Sequence, residues 1–129
     1  MEKPIPTPNP ATEPYWSAAA RGEFLLPRCG QCGRFHHHPR LWCPYCWSGE
    51  LRWEKPSGRG ILITYSIVHQ PPSPCFTPPY VLAIVRLDEG PQLMCNVVET
   101  EFGELRCELP VEVTFEARGE AALPQFRAI

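Results

Sequence analysis

The sequence predicts a mainly β protein with a short N-terminal helix, a metal-stapled ribbon and a small five-stranded barrel. Three observations predict it. Cys29, Cys32, Cys43 and Cys46 stand as two Cys-x-x-Cys pairs. Beyond residue 60, segments alternate between two faces at the strand period. Formal charge divides the chain, with +3 over residues 1–60 and −5 over residues 61–129. A chain of 129 residues suits one ordinary domain or a small stapled module joined to a barrel, and the charge step favours the second. The expected division is an extended arm and helix over 1–22, a zinc ribbon over 23–57 and a barrel over 58–129.

The arm comes first. Pro4, Pro6, Pro8 and Pro10 each fix φ and restrict the residue before them, so this segment is extended, either loose or laid on a partner. Thr12 then offers an N-cap, Pro14 sits where a first helical turn tolerates it, and Tyr15 to Arg21 continue as a short helix ended by Gly22. Such a helix is marginal alone in water, so Tyr15 and Trp16 are expected to be buried against the domain or another subunit.

The ribbon follows. Four thiolates are soft, anionic donors that complete a tetrahedral Zn²⁺ and leave no position for water or substrate, which makes the site structural. The two-residue spacing bends each pair into a knuckle, and the ten residues between the pairs allow a short hairpin to join them. Disulfides are disfavoured by the odd count of seven cysteines. A redox centre would need one motif opening a helix, whereas Pro and Gly surround both pairs. Gly33 follows the first knuckle, where the backbone turns to positive φ; Trp47 holds the equivalent place in the second. A left-handed Trp costs about 1–2 kcal/mol, well below the roughly 10–16 kcal/mol of zinc binding. Glu23 to Arg28 and Phe35 to His38 read as the flanking strands. His36, His37 and His38 are surplus to a closed four-thiolate site, and strand alternation would turn His37 away from its neighbours.

All-β patterning follows the ribbon. Segments 61–68, 80–87, 93–98, 111–116 and 123–127 are the expected strands, with a turn at Asp88-Glu89-Gly90-Pro91. Five short strands hide their edges by closing, and the OB-fold is the common five-stranded solution, ahead of an SH3-like barrel. Between the first two strands, five of the nine residues from Pro71 to Pro79 are proline. So stiff a loop can present Phe76 and Tyr80 to a partner at little entropic cost. Cys75 within it has no neighbouring base or cation to activate it and reads as inert.

Charge and composition exclude several classes. A backbone-tracking groove for single-stranded nucleic acid needs positive charge, whereas the barrel segment is strongly acidic and the chain is −2 overall. That module is the alternative reading, left to a basic ribbon face. No run approaches the ~18 apolar residues of a membrane span, and the Pro-rich start lacks the core of a secretory signal; the expected compartment is the cytoplasm. No Ser/His/Asp set, paired carboxylates or open metal position offers catalytic machinery, and His69 alone is a structural residue at a strand end.

The chain resembles the zinc-ribbon plus OB-fold family catalogued as domain of unknown function thirty-five. The likeness runs from about Tyr15 to the end. It rests on Arg28-Cys29-Gly30-Gln31-Cys32-Gly33-Arg34, Pro39-Arg40, Cys43-Pro44-Tyr45-Cys46 and Ser57-Gly58-Arg59-Gly60. Tyr65-Ser66-Ile67-Val68-His69, Pro79-Tyr80-Val81, Leu87-Asp88-Glu89-Gly90-Pro91 and Leu123-Pro124-Gln125-Phe126-Arg127 complete it. Trp47 departs from the glycine usual after the last zinc cysteine, and Cys75 and Cys107 stand where members tend to carry glycine. The resemblance implies a non-catalytic subunit of a thiolase-fold enzyme, whether a thiolase, a hydroxymethylglutaryl-CoA synthase or a steroid side-chain aldolase, in some relatives paired with a hot-dog hydratase. It implies structural zinc, and a role in lining the passage for the pantetheine arm of an acyl-CoA. Arg59, His69, Phe76 and Tyr80 are the residues expected on a ligand-facing or partner-facing surface, from motif matches and loop position.

Overall fold

The computed structural model describes residues 2–129. Helix α1 (Glu13–Ala20) leads into β1 (Leu26–Cys29) and β2 (Leu51–Glu54), followed by β3 (Arg59–Val68), β4 (Tyr80–Leu87), β5 (Gln92–Val97), β6 (Pro110–Arg118) and β7 (Ala121–Ala128). A single 3₁₀ turn, Phe102–Glu104, separates β5 from β6.

Helix α1 ends in a Schellman motif. Gly22, at φ +76°, donates to the Ala19 carbonyl, and Glu23 donates to that of Ala18. At the other end the Thr12 hydroxyl caps nothing in the helix; it accepts the Asn9 N–H at 3.0 Å, while Asn9 Oδ1 accepts the Ala11 and Thr12 amides. The expected cap is therefore replaced by an Asn9 turn. Tyr15, Ala18 and Ala19 face inward, and α1 lies against β7.

The ribbon differs from expectation in its pairing. β1 pairs antiparallel with β2, from Leu26↔Glu54 to Cys29↔Leu51. Phe35 makes one isolated bridge to Arg28 and continues no strand. The pairing stops after Cys29 N–H donates to the Arg34 carbonyl and His36 N–H to that of Pro27, and beyond it the buried His36 ring accepts the Arg40 N–H at Nε2, 3.1 Å away, closing a local loop.

Strands β3-β4-β5-β7-β6 close into a barrel, all neighbours antiparallel except β5 and β7, which run parallel. This is the five-stranded OB-fold. A register shift between Leu62 and Thr64 changes which face of β3 points inward, from Gly60 and Leu62 to Tyr65 and Ile67. Gly60 sits where β3 pairs with β4 and β6 together. A Cβ there would lie 2.3 Å from the Arg86 carbonyl oxygen, so only glycine lets the strands meet.

Leu62, Val81, Val85, Val111 and Phe126 are buried inside the barrel. Tyr15, Phe24, Leu26 and Phe35 join the same apolar cluster, and Phe24 packs edge-on against Phe126 at 6.3 Å. Each such side chain stabilises by about 1.5–3 kcal/mol, so ribbon and barrel share one core. The proline-rich arm is laid on this same chain. Lys3 reaches Glu116 at 3.4 Å, and Arg118 donates to the Pro4 carbonyl at 3.2 Å. Among the described residues no helix is long and apolar enough to cross a membrane.

Candidate functional site

The four paired cysteines converge. Their sulfurs all lie within 4.8 Å of one another, with Cys29 Sγ to Cys46 Sγ at 3.5 Å and Cys32 Sγ to Cys43 Sγ at 3.6 Å. A tetrahedron built on Zn–S bonds of about 2.3 Å has edges of about 3.8 Å, so these thiols fit a zinc ion. Backbone amides complete the knuckles: Gln31 and Cys32 N–H donate to Cys29 Sγ at 3.3 Å, and Tyr45 N–H to Cys43 Sγ at 3.4 Å. Such donors favour thiolate, and Cys29 is held down to about 6, chiefly by the Cys32 amide against desolvation. Cys43 shifts down too, burial being outweighed by the amides of Cys46 and Tyr45. None of the seven cysteines is joined in a disulfide.

Trp47 occupies the left-handed region at φ 65°, like Gly33 at φ 78°. The indole is 77% exposed, so it regains little by packing what its backbone costs, about 1–2 kcal/mol.

A second feature lies on the outer face of β4 and β5. Here the Pro-rich loop, β6 and the arm enclose a recess of about 360 Å³ lined by Lys3, Phe76, Tyr80, Leu82, Asn96 and Arg118. Phe76 and Tyr80 are 6.2 Å apart, and Lys3 and Arg118 each stand 5.9 Å from the Phe76 ring. Glu116 pairs with both cations, which leaves one net positive charge. Leu82, Asn96 and Arg118 also border a neighbouring recess of about 300 Å³, whose far wall is Tyr15, Trp16, His37 and His38. The two form one groove across β4 and β5.

The groove's far end is neutral. His37 and His38 meet edge to face with centroids 5.0 Å apart and both pack against Tyr15, so they share a face where strand alternation would have parted them. Burial first, then the neighbouring His38 and His36, pushes His37 down to about 4; burial lowers His36 and His38 as well. The three rings are uncharged at neutral pH.

Of the four residues expected on a ligand-facing or partner-facing surface, the structure brings Phe76 and Tyr80 together in the groove. Arg59 and His69 flank opposite ends of the ten-residue β3, about 30 Å of extended chain apart, and neither lines the groove. Lys3, Arg118 and Asn96 carried no sequence signal, because their contacts join segments far apart in the chain; Gln125 stood out only as part of the Leu123-to-Arg127 motif, with no contact to assign it.

Two family models match: the rubredoxin-like zinc ribbon domain of ChsH2 over residues 16–52 and its C-terminal OB-fold domain over residues 53–116. The chain is 33% identical over 126 residues to a probable enoyl-CoA hydratase alpha subunit of Thermomonospora curvata, covering 97% of this chain and 40% of that protein. It is 36% identical over 87 residues to a DUF35 domain-containing scaffold protein of Pyrococcus furiosus, covering 65% of this chain and 64% of that one. The chain thus spans less than two thirds of the length of either relative. Among solved structures, a chain of an Ltp2-ChsH2(DUF35) aldolase superposes with a TM-score of 0.86 at 33% identity, over 96% of this chain and 98% of that one. The ribbon, the barrel and these matches together make the chain a member of the ChsH2-type DUF35 family.

Proposed function

We propose that this chain is a non-catalytic accessory subunit of a thiolase-fold, acyl-CoA-processing enzyme of thiolase, hydroxymethylglutaryl-CoA synthase or steroid side-chain aldolase type. In this reading the β4–β5 groove contributes one wall of the passage for the pantetheine arm. The observation that carries it is the likeness, along nearly the whole chain, to a chain of an aldolase assembly. The groove's chemistry supports the same reading. Its mouth pairs a cationic edge with an aromatic floor, and its far end is apolar with neutral imidazoles, which suits an amphipathic chain carrying amides.

Zinc held by Cys29, Cys32, Cys43 and Cys46 is structural in this account. It cross-links the two knuckles and supplies folding energy. Arg59 and His69, outside the groove, fit a partner-facing role better than a ligand-facing one. A hot-dog hydratase is the second companion in this reading, supported by the hydratase alpha subunit among the relatives. The acidic barrel disfavours single-stranded nucleic acid as ligand.

The test is co-expression with a thiolase-fold enzyme encoded beside this chain. The expected result is a stable complex whose acyl-CoA turnover falls when this chain is omitted. A companion that stays soluble and fully active alone refutes the accessory role.

A further inference from the structure

The second zinc knuckle carries a surface that neither fold nor groove uses. Within residues 41–47, Leu41 is 54% exposed, Trp42 58%, Tyr45 50% and Trp47 77%. Four large apolar side chains in one short loop are far more than scattered surface hydrophobics. The loop is also rigid. Cys43 and Cys46 anchor it to the metal site, Cys43 N–H donates to the Ser48 carbonyl, and Trp47 N–H donates to that of Cys43. Trp47 sits at a left-handed position that glycine would occupy freely, and so presents a large indole to solvent where a smaller residue would serve the fold better.

Charge indicates what covers this surface. From Phe24 to Gly49 there is no Asp or Glu, while Arg28, Arg34 and Arg40 fall in that span. Arg28 pairs with Glu54, whereas Arg34 and Arg40 have no acidic partner among the described residues. Arg34 instead lies over the Tyr45 ring at 4.9 Å. Exposed, preorganised Trp and Tyr beside unpaired Arg is the composition of a binding hot spot.

We propose that the Leu41–Trp47 knuckle is the docking surface for the thiolase-fold subunit, inserting Trp42 and Trp47 into an apolar recess whose rim carries carboxylates that receive Arg34 and Arg40. This rests on the accessory-subunit reading. A second copy of this chain is disfavoured, because a two-fold contact would set the same unpaired arginines against each other. A nucleic-acid strand is disfavoured by the chain's net charge of −2.

The experiment measures affinity of the full-length, zinc-loaded chain for the co-encoded thiolase-fold enzyme by calorimetry, comparing wild type with Trp47→Gly and Trp42→Ser. Trp47→Gly is expected to keep its zinc and to unfold at or above the wild-type temperature, yet to bind about 30-fold more weakly, as loss of one hot-spot aromatic does. Trp42→Ser should weaken binding similarly, and the pair together more. Wild-type binding with unchanged affinity in both variants overturns the docking surface and leaves the accessory role standing. No binding by wild type overturns both. Self-association, or salt-sensitive retention of a single-stranded oligonucleotide, that is lost in Trp47→Gly assigns the knuckle to another occupant and overturns the proposal.

Discussion

Gln125→Leu tests how the barrel is closed. β5 and β7 share one register pair, Val97↔Phe126, and the Val98 N–H donates to the Phe126 carbonyl at 2.8 Å. The rest of the seam is made by side-chain amides. Gln125, only 3% exposed, accepts the Asn96 N–H at Oε1, 2.7 Å away; its Nε2 donates to Asn96 Oδ1 at 3.2 Å and to Glu116 at 3.4 Å. Leucine fills similar space but leaves the Asn96 amide unpaired, at about 1–3 kcal/mol, and removes two further bonds worth about 1 kcal/mol each. Added apolar burial offsets about 1–2 kcal/mol. The net loss is about 2 kcal/mol, or roughly 8 °C in Tm for a chain of this size. Urea unfolding followed by tryptophan fluorescence measures it, and a cycle with Asn96→Ala, which keeps the backbone N–H and, of the bonds to Gln125, removes only that to the Oδ1 acceptor, should give a coupling of about 1 kcal/mol. A loss under about 0.5 kcal/mol, or additive effects in the cycle, would refute the seam as described.

Two other outcomes are expected. Gly60→Ala forces a Cβ to 2.3 Å from the Arg86 carbonyl oxygen and 3.0 Å from the Leu87 Cα, both backbone atoms; thermal unfolding should show a loss of about 3 kcal/mol or more, whereas Gly22→Ala, in open space at φ +76°, loses only about 1–2 kcal/mol. His37 is depressed to about 4 in the fold. The unfolded chain, with an imidazole near 6.5, therefore binds more protons between these values, so stability is full above about pH 6.5 and falls as pH drops toward 4. Between pH 7 and 5.5 the loss is about 1 kcal/mol by linkage, and His37→Gln should remove that part of the slope in denaturant titrations.

The zinc knuckles and the five barrel strands are legible because both are local patterns. Two-residue cysteine spacing and period-two alternation declare themselves within a few residues, and the Gly33 and Trp47 backbones follow from knuckle geometry. What stayed hidden depends on distant contacts. Leu51–Glu54 pairs with β1 across the whole metal loop, so its four residues carry too little pattern to outbid Phe35, which is nearer in sequence. The groove needs Lys3 from the arm and Arg118 from β6 to meet over Phe76, a juxtaposition that no local window contains. Leu123-Pro124-Gln125-Phe126-Arg127 was visible as a motif, yet its meaning is structural. Phe126 fills the core, Gln125 closes the seam, and Arg127 ties to Glu112 and Glu99 at 3.2 and 3.1 Å.

The central claim is that the metal holds the fold while the chemistry belongs to the companion subunit, and replacing zinc with cadmium in the assembled complex tests it most directly. Cadmium also accepts four thiolates but differs as a Lewis acid. Turnover of an acyl-CoA by the complex should be the same with either metal, with one ion per chain. Turnover that changes with the identity of the metal, or that this chain supports alone, would contradict the account.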